Sequence, residues 1–253
     1  KKKMEKNNGD ELNAFEDLVQ DQIDSFDKHN YGYINDQVIK HRDLIRMLLM
    51  KQDAFLTENN KIDLFTDGHK LYEKVLEDIY NAQHYIHLEY YTFELDGLGK
   101  RILDALETKL KEGLEVKLLY DDVGSKKVRL SKFKHFRALG GEVEAFFPSK
   151  VPLINFRMNN RNHRKIIIID GQIGYVGGFN VGDDYLGLGK LGYWRDTHTR
   201  VQGEGIDALQ LRFILDWNSQ SHRPQFKFDQ KYFPKKIGDK GNAAIQIASS
   251  GPA

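Results

Sequence analysis

Residues 162–180 read NHRKIIIIDGQIGYVGGFN. Four consecutive isoleucines, Ile166 to Ile169, form a short apolar run suited to a strand buried on both faces. Asp170-Gly171 follows, the strongest short-range hairpin signal, and a second apolar run returns over Ile173 to Val176. The stretch is therefore predicted to be a core hairpin. Its ends are polar. His163 and Lys165 are two apart, so strand alternation sends both side chains to one face, and the four isoleucines anchor that pair in the core. The return strand brings Gly177, Gly178 and Asn180 back opposite them. A nucleophilic imidazole, a cation, backbone bared by glycine and a carboxamide donor are the parts of a phosphate-handling site. Singly, each has a plainer reading: surface histidine, solvated lysine, turn-forming aspartate, Gly-Gly bend. Together they specify six positions at fixed spacing, His-x-Lys-x4-Asp-x6-Gly-Gly-x-Asn, which chance does not readily supply.

Upstream, strand-like and helical stretches alternate: KIDLFTDG, HKLYEKVLEDIYNA, YIHLEYYTF, GKRILDALETKLKEG, LEVKLLYDD, SKFKHFRALGG and EVEAFF. This series predicts an α/β fold with a mixed, mostly parallel sheet flanked by helices. Polar groups collect after strands, as in TDG and YDDVGS, where such sheets place ligands. THTRVQG and the helical EGIDALQLRFILDWNSQ follow the hairpin. Residues 10–50 carry Leu12, Phe15, Leu18, Val19 and Ile23 at helical spacing, a Tyr31-Gly32-Tyr33 interruption and a second helix ending near Met50. The expected division is a helical, juxtamembrane extension over 1–54, a main domain over 55–222, and a linker with a further strand over 223–253. In that last part IQIASSG repeats the pattern of IDLFTDG 183 residues later, which suits the first strand of a truncated second domain, although coincidence explains so short a match as well.

The 253 residues are 40% hydrophobic and 30% charged, the composition of a folded protein with a substantial core. A net charge of +1 means that attraction for phosphate must be local, and it argues against a nucleic-acid partner. The absence of cysteine excludes disulfides, thiolate catalysis and cysteine-based zinc sites. Apolar runs such as LIRMLLM are too short to span a bilayer, and the opening KKKMEK suits either a solvated terminus or a basic cluster beside a membrane anchor.

The hairpin resembles the HKD motif of the phospholipase D superfamily. FTDG (65–68), IHLEYYTFELDGLGKRILDAL (86–106), VKLLYDDVGS (116–125), FRMNNRNHRK (156–165) and GYWRDTHTRVQGEGIDALQLRFILDW (192–217) resemble bacterial cardiolipin synthases, and their N-terminal half in particular. The resemblance implies a phospholipase D-like domain that exchanges phosphodiesters through a phosphohistidine. His163 matches the catalytic histidine, Lys165 and Asn180 the phosphate-binding donors, and Asp196 the acid that orients the histidine. Asp170 matches the motif's aspartate and reads as mainly structural, since the hairpin turn accounts for it. Gly177, Gly178, Arg161 and Glu89 are candidate substrate contacts. No cofactor and no metal is implied. The chemistry is sound for these roles: a carboxylate beside the imidazole fixes its tautomer, and Lys165 and Asn180 stabilise the non-bridging oxygens of a five-coordinate phosphorus.

The departing alkoxide needs a proton that His163 cannot supply while it attacks, and the family uses a second HKD motif for this. None of the other eight histidines begins His-x-Lys; His198, in His-Thr-Arg, comes nearest and reads as a strand residue near the site. The resemblance therefore implies one half of a cardiolipin synthase site, joining two phosphatidylglycerols with loss of glycerol at the cytoplasmic side of a bacterial cell membrane, this piece being soluble or peripheral. Its partners would be anionic phospholipid, the membrane surface and either a second HKD domain or a homodimer partner. Two other readings stand beside it: a homodimeric single-motif phosphodiesterase or nuclease, and a catalytically silent phospholipid-binding module. His87, Glu89, Tyr90, Tyr91, Asp121 and Asp122 read mostly as packing or hydrogen-bonding groups, and Trp194 and Trp217 as core.

Overall fold

The computed structural model describes residues 9–28, 36–146, 161–190, 192–220, 226–238 and 241–249. The KKKMEK cluster, the Tyr31-Gly32-Tyr33 interruption, residues 156–160, part of the 220–240 connection and the end of IQIASSG lie outside the described residues.

The strands are β1 (Leu56–Asp67), β2 (Tyr85–Tyr90), β3 (Glu115–Asp121), β4 (Glu142–Phe146), β5 (Lys165–Ile169), β6 (Ile173–Gly177), β7 (Arg195–Gln202) and β8 (Ala243–Gln246). The helices are α1 (Gly9–Asp27), α2 (Asp36–Lys40), α3 (Arg42–Gln52), α4 (Gly68–Asn81), α5 (Gly97–Lys111), α6 (Lys134–Ala138) and α7 (Ile206–Gln220). Local chemistry sets several ends: Asp67 caps α4 by accepting from Lys70 N, and Asp96 caps α5 by accepting from Gly99 N.

One sheet carries every strand, in the order β4-β3-β2-β5-β6-β7-β1-β8. It is mixed, as expected, but parallel pairing does not predominate: β2·β3 and β3·β4 are parallel, while β2·β5, β5·β6, β6·β7, β7·β1 and β1·β8 are antiparallel. The helix between β1 and β2 does return the chain in the same direction. Yet β5, β6 and β7 pass between those two strands, so the parallel neighbours suggested by strand-helix alternation are pushed apart. Two of the inserted strands, β5 and β6, carry the HKD stretch.

Alternation along β5 divides the core. Ile167 and Ile169 join Leu88, Tyr90, Tyr175 and the buried faces of α4 and α5 on one side. Ile166 and Ile168 join Phe213, Trp217, Phe226 and Tyr232 under α7 on the other. All four isoleucines are at most 3% exposed, and each contributes roughly 1.5–3 kcal/mol by leaving water. The hairpin is the middle of the molecule.

A third cluster ties the helical extension to the sheet edge, with Phe26, Val38, Ile45 and Leu49 packed on Phe55 and Leu56. β8 lies at that edge, with Gln246 opposite Leu56 and Ala243 opposite Asn60. The strand expected to begin a second domain is thus an edge strand of this sheet, because β1 starts before Lys61 and offers it an open row of backbone groups. None of the described helices is long and apolar enough to cross a membrane.

Candidate active site

The site forms where β2 and β3 end and β5 begins. Asn162 is the residue that sets it. Its backbone N donates to Asp121 Oδ2, its Nδ2 donates to Glu89 Oε1, and its Oδ1 accepts from Arg164 N. Asp121 is fully buried at the end of β3, and its other oxygen accepts from Val123 N and Gly124 N. Tyr91 N donates to Arg164 O, so the chain on both sides of His163 is held by backbone bonds. His163 itself lies just ahead of β5, exposed to solvent.

The shared face holds. Lys165 Nζ sits 3.1 Å from His163 Nδ1 and donates to His163 O at 2.8 Å. The Tyr91 ring flanks both, 4.7 Å from the imidazole centroid and 5.3 Å from the ammonium. Partial burial and the Lys165 charge push the His163 pKa below its usual value, against the pull of Asp121 and Asp196; the imidazole is neutral at neutral pH. Burial lowers Lys165 to about 8, with Asp196 opposing.

Asp196 reaches this pair by charge. Its Oδ1 accepts from Thr197 N at 2.7 Å, and its carboxylate acts on His163, Lys165 and His198. Asn180 is buried and cross-braced. Its Oδ1 accepts from Thr92 N at 3.0 Å, one hydrogen of Nδ2 goes to Tyr185 Oη at 2.8 Å, and its backbone O accepts from Tyr72 Oη. The second hydrogen of that amide is available for a ligand.

Several expected site residues take other parts. Asp170 is at the far end of β5, about 16 Å from Lys165 by strand rise, and does not join the site. Its carboxylate instead accepts from Gln83 N, His84 N and Tyr85 N, fastening the start of β2 to the hairpin turn. Gly177 and Gly178 do not bare backbone to a ligand. A Cβ on Gly177 would meet His198 Cα at 2.4 Å, one on Gly178 would meet Asp196 Oδ1 at 2.0 Å, and Gly178 N already donates to Thr197 O. These glycines make room for β7's polar side chains. Glu89 pairs with Ile166 and so faces α7, the opposite side of the sheet from Lys165. Buried beside Asp216, its carboxyl is held well above the usual range, and it supports Asn162 rather than lining the pocket. Arg161 is half-buried at the start of the described segment.

Asn162, Asp121 and Tyr91 are the parts that spacing alone did not identify as site residues. A buried polar residue next to the histidine was the one available signal. His198 lies in β7 opposite Gly177 and is 1% exposed, with neither ring nitrogen hydrogen-bonded. Burial pushes its pKa down to about 3. His87, by contrast, belongs to the other face, stacked on Phe213 and bonded to Gln210 and Glu115.

A family profile described as "Cardiolipin synthase, PLD-like domain" matches residues 75–189. The chain is 98% identical over 253 residues to cardiolipin synthase 1 of Staphylococcus epidermidis, covering 100% of this chain and 52% of that protein. It is 73% identical over 252 residues to cardiolipin synthase 1 of Staphylococcus aureus, covering 100% of this chain and 51% of that protein. The chain thus spans about half the length of the curated relatives it matches. Among solved structures, phosphatidylserine synthase of Haemophilus influenzae superposes with a TM-score of 0.50 at 18% identity, over 62% of this chain and 36% of that one, a likeness of fold.

Proposed function

The chain belongs to the phospholipase D superfamily, and from that premise we propose that it is a catalytic portion of a cardiolipin synthase-type phosphatidyl transferase, with two phosphatidylglycerols as substrates. The observation that carries the reading is the neutral, solvent-facing His163 held against the buried Lys165. His163 Nε2 attacks phosphorus, a P–N bond forms, and the P–O bond to glycerol breaks. The glycerol oxygen takes a proton from a general acid. The hydroxyl of a second phosphatidylglycerol then attacks the phosphohistidine, gives its proton to a base, and the P–N bond breaks to release cardiolipin. Lys165 and the spare Asn180 hydrogen stabilise the non-bridging oxygens.

Attack by Nε2 requires the ring proton on Nδ1, whereas an ammonium 3.1 Å from Nδ1 favours the other tautomer. Substrate phosphate draws Lys165 off the ring, and the carboxylate of Asp196 then favours Nδ1–H. The general acid belongs to a second HKD site, in the remainder of a longer chain or in a partner copy. The chain works at a membrane surface, where its substrate resides.

The test is to combine the protein with a second HKD domain supplied as a separate chain, incubate the pair with short-chain phosphatidylglycerol and assay for an acid-labile phosphoryl group on histidine. About one per chain, absent in His163→Ala, is expected. Lipid binding with no adduct would sink the catalytic reading in favour of a silent binding module.

A further inference from the structure

The segment between the turn at Asp183–Leu186 and β7 leaves large apolar side chains in water. Leu188 is 67% and Tyr193 70% exposed. Its described residues are nonetheless well held: Gly187 N donates to Asp184 O, Leu188 N to Asp183 O and Gly192 N to Gly189 O. Gly187, at φ 74°, brings Tyr193 close against its backbone. Behind it Trp194 packs edge-on to Tyr185 at 5.1 Å. These hydrogen bonds hold an apolar tip outward.

Charge along residues 185–195 has one sign. Residues 185–195 contain no acid, and Lys190 and Arg195 are exposed. Of the nearest acids, Asp183 accepts from Gly97 N and Leu98 N of α5, while Asp184 is exposed with its carboxylate beside Gly189. The tip is also joined to the site, since Tyr185 Oη accepts from Asn180 Nδ2 and Asp196 directly follows Arg195.

We propose that Leu188 and Tyr193 insert into an anionic phospholipid bilayer while Lys190 and Arg195 meet headgroup phosphates, seating the mouth of the site on the membrane. Aromatic and aliphatic tips flanked by cations partition into the interface in this way. A phosphodiester at headgroup depth then meets His163 without extraction of the lipid. The inference rests on the phospholipid-substrate reading above.

The protein and its Leu188→Glu/Tyr193→Glu variant are sedimented with vesicles of phosphatidylglycerol and phosphatidylcholine, and with vesicles of phosphatidylcholine alone. Leu188→Ser/Tyr193→Ser serves as a milder second variant. The wild type is expected to prefer the anionic vesicles, and both variants to lose about tenfold or more in partition. Their His163 adduct with short-chain phosphatidylglycerol below its micelle concentration should match the wild type. Undiminished vesicle binding by both variants would overturn the proposal, as would loss of the adduct on the soluble substrate, which would place the tip inside the site or beneath the rest of the protein. A wild type that binds vesicles through the tip but forms no adduct overturns the catalytic reading and leaves the docking surface standing.

Discussion

Two ionisations meet at His163 and Lys165, and their directions define a pH window. On the proposed mechanism His163 must be neutral to attack, and its pKa is below the usual 6.5, so the acid limb of adduct formation falls below pH 6.5. The phosphate clamp must be charged, and Lys165 loses its proton near pH 8. Adduct formation rates measured against pH should therefore fall on the alkaline side near pH 8. In Lys165→Arg that limb should disappear below pH 10, at a lower maximal rate; an unmoved limb would assign it to another group. His198 makes a separate prediction about stability. Folded, it protonates near pH 3; unfolded, near 6.5. Between those values the unfolded chain binds the extra proton, so stability falls as pH drops through the window and levels off below it. Urea titrations of His198→Phe between pH 7 and 4 should show a shallower loss, the difference being about 3 kcal/mol at most. His163, Lys165 and Asn180 were legible from the motif, because alternation and hairpin return are local geometry. The roles of Asp121 and Asn162 were not, since β3 and the approach to β5 meet only in the folded sheet.

At the scale of the element, the hairpin shows how one sequence motif splits between two jobs. Its aspartate lies a strand length from its histidine and holds three backbone N–H groups of the loop before β2. Asp170→Ala should lower stability by on the order of 3 kcal/mol in thermal or urea unfolding, with Asp170→Asn recovering part. The His163 adduct per folded molecule should not change; a selective loss of adduct with stability intact would return Asp170 to the chemistry. The two glycines teach the same lesson. Their spacing marked close approach correctly, but only β7 shows that the approaching groups are His198 and Asp196. Glycine reports that space is needed and is silent on what fills it.

Across the whole molecule, the insertion of β5, β6 and β7 between β2 and β1 joins the site to the core, and β8 with the helical extension closes the far edge. Gln22 of α1 both donates to Leu56 O and accepts from Leu56 N, satisfying the first residue of β1. Gln22→Ala should loosen the extension: hydrogen exchange should quicken through α1 and α3 while β2 and β3 stay protected, and uniform exchange would show that the extension is an integral part of the core. What the sequence by itself determined was the set of elements and the juxtaposition of His163 and Lys165, because helix and strand periodicity and two-residue alternation act over short range. What only the tertiary structure decided was neighbourhood: which strands lie between β1 and β2, which carboxylate reaches His163, which face Glu89 occupies, and where β8 attaches. These depend on contacts between residues far apart in the chain, whose partners are set by closing a single sheet around a common core.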